Sequence, residues 1–426
     1  MAMSNRLSPG ALLVTFLLPG MAVAAPVLGP EIQVNVSTMD VEMNPQVAVF
    51  PDGGFIVAWV VQPKASPGAA RTTGVHARLF AANGAPASGE FLLVSPGNVI
   101  ALDGLVATSD DGFAAVWDSY GKPAGGGPGV VQQVEVQMFE RSGSPSTRAE
   151  LAHLPSRFDR YSGVVTATAE GRVVVAWAAD VGYQTSIGYY NNAAARIFSA
   201  RLAPLTGELL LSMGSGVDGS GPFPDAIAVA PDGSLTAALT YYGDSVNVFA
   251  VRVAQSGKAL PVDPLYPDAE TSYDASLAMK PDGSFAAVWD EQTPAFPWLL
   301  PLRPEPPGPI HGRLFDADGT AEGPDAFQVN RRAPGQRTLP KIVWQPAGGY
   351  ITIWEDESGQ DGDGTGIFGR FLSANGAPAG GDFRVNLTTA GNQSSPALAA
   401  GPKATAVAVW LSGTATAVYA RLITLP

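Results

Sequence analysis

Short apolar strands separated by glycine turns recur along the whole chain. The clearest element is an Asp/Glu-Gly turn, or an equivalent, followed by an apolar strand that usually ends in Trp. It reads PDGGFIVAW at 51–59, and further copies lie at 109–117, 169–177, 231–239, 281–289, 346–354 and 402–410. The copies end at Trp59, Trp117, Trp177, Leu239, Trp289, Trp354 and Trp410, which are 50 to 65 residues apart. This regular spacing predicts seven copies of one structural unit.

A second element follows each of these strands at a variable distance. It reads GVHARLFAANGAPASGEFLLV at 74–94 and GIFGRFLSANGAPAGGDFRVN at 366–386. Two strands joined by a short glycine-containing turn are the signature of a β-hairpin. Each repeat therefore predicts four antiparallel strands, which in the first copy cover about 46–50, 54–60, 75–80 and 90–94.

The repeats predict a closed ring of blades. A four-stranded sheet of this length is the unit of a β-propeller, whereas an open solenoid needs polar capping repeats that the sequence lacks. The segment Glu31–Asn35 matches the fourth-strand copies at 327–330 and 383–386, while the last repeat ends with a third strand at 417–422. We therefore expect an all-β, seven-bladed β-propeller over 31–426, closed by 31–35 as the outer strand of the last blade.

The recurring Trp has a structural explanation. Alternation along a strand places Trp59 on the same side as Phe55 and Val57. We expect these rings to pack one blade against the next rather than to stack on a ligand.

The N-terminus indicates export. Arg6 is followed by the apolar run 11–18 and by Ala22-Val23-Ala24, an A-x-A cleavage site, which predicts a bacterial Sec-type signal peptide at 1–24 and a secreted or periplasmic protein. No later apolar run reaches the length of a membrane span, so no membrane anchor is expected. There are no cysteines, which excludes a thiol nucleophile and thiolate metal sites. The net charge of −13 and the scattered basic residues argue against nucleic acid as a partner.

The repeat resembles a known group of sequences. The run at 359–400 is similar to repeats of large secreted bacterial surface and haemolysin-like proteins, which read D-G-G-F-V-V-x-W, G-I-x-x-R-F, G-x-P and E-F-x-V-N. The resemblance covers about 31–426, is strong in copies one, five and six, and weakens in copies three and four, where Leu239 replaces Trp. It implies export and the repeat architecture, and it implies no catalytic residues.

The connections between the second and third strands carry the candidate ligand-binding residues. In an antiparallel blade these connections and those between blades share one face of the disc, and they vary more in length than the turns on the other face. A carboxylate follows the second strand closely in five of the seven repeats. The candidates are Asp118, Tyr120, Asp180, Tyr183, Tyr241, Asp244, Asp290, Glu291, Glu355 and Asp356, together with Trp298 from a Pro-rich insertion at 292–309. The alternative is that these acids cap turns.

The sequence contains few motifs for metal binding or catalysis. Asp316–Asp318 and Asp361–Asp363 resemble fragments of a calcium loop, but neither has the bidentate acid such a loop requires, so no cofactor is expected and turn chemistry is the alternative. His76 and His311 occupy one third-strand position in two repeats, which favours packing, and His153 stands alone in a loop. No nucleophile elbow, Walker motif or dinucleotide fingerprint is present.

Three functions remain open from the sequence. The first is a monomeric, non-enzymatic binding or adhesion module that takes an extracellular glycan or a protein such as a basic peptide. The alternative is a carbohydrate-active enzyme, a glycosidase or lyase, that uses paired carboxylates at the mouth of the propeller. The third is a purely structural surface propeller.

Overall fold

A computed structural model describes most of the chain. The described residues are 26–36, 40–64, 73–126, 128–184, 189–212, 221–242, 246–265, 272–292, 308–323, 325–331, 335–413 and 417–425, without the side chains of 183–184 and 189–190. They form 28 β-strands and no helix. Within these ranges, accordingly, nothing helical is long and apolar enough to cross a membrane.

The strands form seven four-stranded antiparallel sheets, or blades. The first strand of the chain, β1 (Val27–Gln33), belongs to the last blade. Blade 1 contains β2 (Val41–Val49), β3 (Phe55–Gln62), β4 (Thr73–Phe80) and β5 (Phe91–Gly97). Blade 2 contains β6 (Val99–Ala107), β7 (Phe113–Gly121), β8 (Val131–Phe139) and β9 (Glu150–Leu151). Blade 3 contains β10 (Arg160–Ala167), β11 (Val173–Gln184), β12 (Tyr189–Phe198) and β13 (Leu209–Ser212). Blade 4 contains β14 (Pro222–Val229), β15 (Leu235–Tyr242), β16 (Val246–Val253) and β17 (Ala259–Leu260).

The remaining three blades have the same plan. Blade 5 contains β18 (Ser272–Met279), β19 (Phe285–Glu291), β20 (Ile310–Phe315) and β21 (Phe327–Gln328). Blade 6 contains β22 (Arg337–Gln345), β23 (Gly349–Asp356), β24 (Gly366–Leu372) and β25 (Pro378–Arg384). Blade 7 contains β26 (Gln393–Ala400), β27 (Thr405–Ser412) and β28 (Ala417–Thr424), with β1 (Val27–Gln33) as its fourth strand.

The blades are arranged as a seven-bladed β-propeller, as the repeats predict. The first strand of each blade contacts the first strands of both neighbouring blades, and β26 of the last blade contacts β2 of the first. The seven first strands therefore surround a central axis, while the fourth strands lie at the periphery.

The N-terminal strand closes the ring. β1 pairs antiparallel with β28, with Ile32 opposite Ala420, and it begins at Val27, four residues before the predicted start. Beyond β1 the backbone N–H of Val34 donates to the Val418 carbonyl at 2.8 Å. The predicted closure of the ring is confirmed, and it removes the exposed sheet edges that an open array would have.

The V-N dipeptide at the end of the fourth strand has a structural reason. The side-chain oxygens of Asn35, Asn330 and Asn386 accept the backbone N–H of the third strand of the same blade at 2.8 to 2.9 Å. All three asparagines are at most 3% exposed. Because buried N–H groups need an acceptor, an amide at this position completes the edges of blades 5, 6 and 7 where the ladder ends.

The arginine of the G-I-x-x-R-F motif joins three of the blades to the preceding one. Its guanidinium donates to the carbonyl oxygen of the Val that precedes the asparagine in the previous blade. These bonds run from Arg78 to Val34, from Arg370 to Val329 and from Arg421 to Val385, at 2.7 to 2.9 Å. The bond from Arg78 to Val34 crosses the closing seam between blades 7 and 1, so this seam uses the same contact as two of the other seams.

The hydrophobic core lies between the blades. The closing Trp and Leu side chains of the second strands are 0 to 2% exposed, which confirms that they are packing residues. Phe55 stacks on Phe80 with ring centroids 4.9 Å apart, and Phe285 stacks on Phe315 at 4.6 Å. With no disulfides, burial of these large side chains is the main stabilising term.

The two faces of the disc differ. On one face, Arg141 from a third-to-fourth-strand turn bonds Asp52 at 2.6 Å and Asp111 at 2.9 Å, both of which lie in first-to-second-strand turns. We call this the turn face. The other face, which we call the mouth face, carries the second-to-third-strand connections and the connections between blades.

Candidate functional site

A β-bulge in every first strand shapes the central opening at the mouth face. In each blade one extra residue of the first strand lies opposite the closing Trp or Leu of the second strand. Five of the bulges hold a non-glycine residue with φ between 48° and 55°, namely Asn44, Ser162, Asp274, Leu339 and Ser395. A bulge re-aims side chains and leaves backbone groups unpaired, so it is where a propeller of this kind can place polar chemistry.

Three carboxyl groups meet near the bulges of blades 4 and 5. Asp225 lies in the bulge of β14, Asp274 lies in the bulge of β18, and Asp290 follows the closing Trp of β19. We call these three residues the acid trio. Asp225 and Asp274 are partly exposed, whereas Asp290 is 0% exposed.

The members of the acid trio have raised pKa values. Burial raises the pKa of Asp225 to about 7, although a hydrogen bond from the Thr240 hydroxyl at 2.6 Å opposes the shift. Burial, and next the charge of Asp274, raise the pKa of Asp290 well above its ordinary value. Burial also raises the pKa of Asp274. Neighbouring carboxyls in a low-dielectric site do not all ionise together, so the trio retains protons near neutral pH.

Asp290 is not fully satisfied by hydrogen bonds. Its Oδ2 accepts a bond from the Gln292 amide at 2.7 Å, but its buried Oδ1 has no partner among the described residues. Asp118 and Glu355 occupy the same strand position in blades 2 and 6, and each accepts the bulge N–H of the next blade, from Ser162 at 3.0 Å and from Ser395 at 3.1 Å. Asp118 also has a buried oxygen without a partner, its Oδ1, so Asp290 differs from these two carboxyls in accepting no bulge N–H of the next blade among the described residues.

One cation acts on the acid trio. The charge of Lys341, which lies in β22 just beyond the bulge of blade 6, lowers the pKa values of Asp225 and Asp274 and so opposes the effect of burial. The site therefore combines acids from blades 4 and 5 with an ammonium group from blade 6.

An arc of four aromatic rings lies beside the acid trio. Tyr161, Phe223 and Tyr273 directly precede the bulges of blades 3, 4 and 5, and Tyr242 ends the second strand of blade 4. Successive ring centroids are 5.7 Å apart from Tyr161 to Phe223, 5.2 Å from Phe223 to Tyr242, and 6.1 Å from Tyr242 to Tyr273. Burial, and next the charge of Asp274, raise the pKa of Tyr242 to about 12, so its phenol stays neutral. We call these four residues the aromatic arc.

A second carboxyl pair lies between blades 2 and 3. Burial, and next the charge of Asp118, raise the pKa of Asp103, the bulge residue of β6, well above its ordinary value. Burial raises the pKa of Asp118 to about 6. The buried Oδ2 of Asp103 and Oδ1 of Asp118 have no hydrogen-bond partner among the described residues, whereas the Oδ2 of Asp118 accepts the N–H of Ser162 in blade 3. This pair therefore fastens two blades rather than facing the opening.

The other predicted carboxylates do not gather in one pocket. Asp180 accepts the N–H of Gly182 at 2.7 Å within its own turn. Glu291 bonds His311 at 2.8 Å. Asp356 is 3% exposed and forms an ion pair with Arg337 at 3.0 Å. Of the predicted carboxylates that the structure describes, only Asp290 joins the acid trio.

The predicted aromatic residues are dispersed. Tyr120 is 44% exposed at the end of β7, and Tyr241 is half-buried in β15. Tyr183 lies in β11, but its side chain is outside the described residues. Asp244, Trp298 and residues 293–307 of the Pro-rich insertion are also outside the described residues. Ligand binding by these residues stays a prediction.

The histidines serve the structure in different ways. His76 and His311 lie opposite Trp59 and Trp289 on the neighbouring strand, each bonded to a glutamate at 2.8 Å. His153 lies in the loop that follows β9, as predicted, and it is buried at 2% exposure with its ring 6.1 Å from that of Trp177. Its Nε2 accepts the N–H of Val134 at 3.4 Å, so it takes the place of the V-N asparagine in blade 2.

The carboxylates of the calcium-loop fragments accept hydrogen bonds from neighbouring protein groups. Asp361 accepts the Asn386 amide at 3.2 Å, Asp363 accepts the N–H of Gly391 at 3.0 Å, and Asp318 accepts that of Thr320 at 2.9 Å. Within the described ranges, no three His, Asp or Glu side chains lie close enough together to hold a metal ion.

Sequence reasoning missed Asp225 and Asp274, because it searched the loops and not the first strands. A signal was present. Proline cannot donate to a sheet ladder, so a proline inside a strand marks a bulge. Pro45, Pro340 and Pro396 lie in the bulges of blades 1, 6 and 7. Aligning the first strands on these prolines would have pointed to the bulge residues of the other blades.

Comparisons with known proteins leave the family open. No protein-family model matches the sequence, and no curated protein matches it. A protein of unknown function from Dyadobacter fermentans superposes with a TM-score of 0.49 at 10% identity, over 94% of this chain and 99% of that one. An alpha-L-arabinofuranosidase from Fusarium graminearum gives 0.49 at 9% identity, over 93% and 98%. An alpha-L-arabinanase from Penicillium chrysogenum gives 0.46 at 12% identity, over 92% and 98%. None of these likenesses is close enough to assign a family or an activity to the chain.

Proposed function

We propose that this protein is a carbohydrate-active enzyme that hydrolyses glycosidic bonds at the acid trio. One observation carries the proposal: carboxyl groups with raised pKa values lie beside an arc of aromatic rings at the mouth of the propeller. Aromatic rings bind the apolar faces of sugars, and carboxyl groups bind their hydroxyls and supply acid–base chemistry.

Glycoside hydrolysis requires two carboxyl groups in different protonation states. One protonates the leaving oxygen, and the other, ionised, acts as a base or as a nucleophile. A carboxyl that keeps its proton near neutral pH suits the first role. The acid trio supplies both states because its members share fewer than three negative charges near neutral pH.

The exposure of the three acids suggests their roles. Asp225, whose pKa is about 7 and which is partly exposed, is the proposed general acid. Asp274 is partly exposed and is kept closer to ionisation by Lys341, so it is the proposed base or nucleophile. Asp290 is fully buried, and burial and the charge of Asp274 keep its pKa raised, so it is not assigned a contact with the substrate.

The predicted signal peptide agrees with this proposal. Extracellular glycans are available to a secreted or periplasmic protein, and the predicted route of export would deliver the enzyme to them. Secretion remains part of the proposal, since residues 1–25 lie outside the described part of the chain.

The test is turnover of a panel of plant, fungal and bacterial polysaccharides by the purified mature protein, measured as reducing ends released. We expect Asp225→Asn and Asp274→Asn to lower kcat by at least about a hundredfold, the scale of a lost acid–base group. Asp282→Asn is the matched control, because Asp282 lies in the same blade as Asp274 but caps a turn on the opposite face through the N–H of Ser284 at 2.9 Å. Equal activity of all three variants would refute the assignment.

The second candidate is a glycan-binding or adhesion module without turnover. The aromatic arc favours it, because a row of rings can bind a sugar chain without any cleavage by the acids. Saturable binding of a glycan by a protein that releases no reducing ends from it would select this candidate.

A further inference from the structure

We propose that the glycan bound at the mouth is a neutral linear chain that lies along the aromatic arc, with Tyr161 forming a subsite remote from the acid trio. The inference deepens the proposed function, on which it rests for the bond that is cleaved. The shape of the bound chain is argued from the arc alone.

The arc is continuous across three blades. Each ring contacts the next, and the centroid spacings of 5.2 to 6.1 Å are of the order of the length of one sugar unit. Tyr242 is 38% exposed, and the other three rings are partly exposed. A row of this length offers contacts to several consecutive sugar units, whereas a single terminal sugar would use only one or two of the rings.

The strand position that carries three of the rings holds no aromatic residue in the other four blades. At the position that directly precedes the bulge, blades 3, 4 and 5 carry Tyr161, Phe223 and Tyr273. The equivalent residues of the other four blades are Met43, Ala101, Thr338 and Ser394. The seven blades therefore present a one-sided platform, and a chain that follows the rings crosses the opening off its centre.

Tyr161 lies at the far end of this platform. The acid trio belongs to blades 4 and 5, whereas Tyr161 belongs to blade 3 and contacts Phe223 of the arc. Tyr161 is thus a specificity-determining residue for chain length and makes no contact with the acids that perform the chemistry.

The electrostatic surroundings favour a neutral chain. Asp118 accepts the N–H of Ser162, the residue next to Tyr161, at 3.0 Å, and burial together with the charges of Asp180, Asp159 and Asp118 raises the pKa of Tyr161 to about 12. An anionic chain would be repelled by these acids at the far end of the arc. A cationic chain would be repelled at the other end by the ammonium group of Lys341, which acts on Asp225 and Asp274.

The test uses neutral oligosaccharides of increasing length, from disaccharide to hexasaccharide, drawn from whichever polysaccharide binds in the panel. For the wild-type protein we expect KM to fall as the chain lengthens. Tyr161→Leu should raise KM for the longest chains about three- to tenfold relative to KM for the disaccharide, the scale of one aromatic contact. Tyr161→Phe, which keeps the ring, should restore the dependence of KM on chain length, and Phe158→Leu, which removes an exposed ring outside the arc, is the control.

The outcomes separate this inference from the proposed function. An effect of Tyr161→Leu that is the same for every chain length would overturn the remote subsite. Tighter binding of glucosamine or uronate oligomers would overturn the neutral assignment. If no glycan is cleaved, the same series is measured by titration calorimetry: chain-length-dependent affinity that is weakened by Tyr161→Leu supports the arc although the enzyme proposal has failed.

Discussion

Asp225 makes the stability of the propeller depend on pH in a direction that can be calculated. Its pKa is about 7 in the folded protein because of burial, against an ordinary value of 3.8. Since the folded pKa is the higher one, the folded state holds the proton more tightly. The stabilisation is fully present below pH 3.8 and is lost as the pH rises through 7. The other ionisable groups that act on Asp225 are Asp274, which favours protonation, and Lys341, which opposes it.

The magnitude follows from the difference between the two pKa values. Each pH unit corresponds to about 1.4 kcal/mol, so a difference of about three units sets a ceiling of about 4 kcal/mol. The carboxyl is already ionised in the unfolded chain at pH 5, so between pH 5 and pH 8 the group lowers the free energy of unfolding by roughly 2 to 3 kcal/mol.

The perturbation is Asp225→Asn, which removes the titration and retains a side chain of the same size. Urea denaturation, followed by the fluorescence of the buried Trp residues, gives the free energy of unfolding at several pH values from 5 to 8. The diagnostic quantity is the slope with pH, which should be smaller than that of the wild type by the amount above.

The control is Asp232→Asn, in a turn of the same blade, where the carboxyl caps the N–H of Ser234 at 2.8 Å and is mostly exposed. Its pH dependence should stay close to that of the wild type over this range. If Asp225→Asn keeps the full wild-type slope, Asp225 is already ionised in the folded protein, and its assignment as a proton donor fails with it.

Two further predictions concern single contacts that hold the strands of the propeller together, one between blades and one within a blade. Arg78→Met removes the bond to Val34 across the closing seam and should lower the free energy of unfolding by about 1 to 3 kcal/mol, as Arg370→Met should at an ordinary seam. Thermal and urea denaturation check this, and an effect of Arg370→Met alone would show that the closing seam does not depend on this contact. Burial lowers the pKa of His153 below 6.5, so the folded state resists its protonation and stability should fall as the pH drops below about 6.5. His153→Asn, which supplies the residue found in blades 5, 6 and 7, should reduce that acid sensitivity, and an unchanged acid limb in the denaturation profile would contradict the role given to this histidine.

The architecture could be predicted from the sequence because it depends on local and repeated features. Alternation of apolar and polar residues and glycine turns specify strands and hairpins wherever they occur, so seven copies of the repeat predict seven blades. The match between 31–35 and the fourth-strand copies was enough to predict the closure, which β1 and β28 confirm. The packing role of the Trp residues also follows from alternation along one strand.

The candidate site could not be predicted in the same way. Whether a carboxylate after the second strand is hydrogen-bonded between blades depends on the next blade. Asp118 and Glu355 each accept a bulge N–H from it, whereas Asp290 accepts none among the described residues. Those partners are 40 or more positions away in sequence, and no local pattern reports them.

The sequence by itself determined the class of fold, the number of blades, the closure of the ring and the face on which the variable connections lie. Only the tertiary structure decided which acids share the opening, since Asp225 and Asp274 reach it through bulges that break the alternation of the first strands. The same holds for the aromatic arc, whose rings come from three repeats. The repeats determine the fold of each blade. The residues that differ between repeats form a site only because the closed ring places them next to one another.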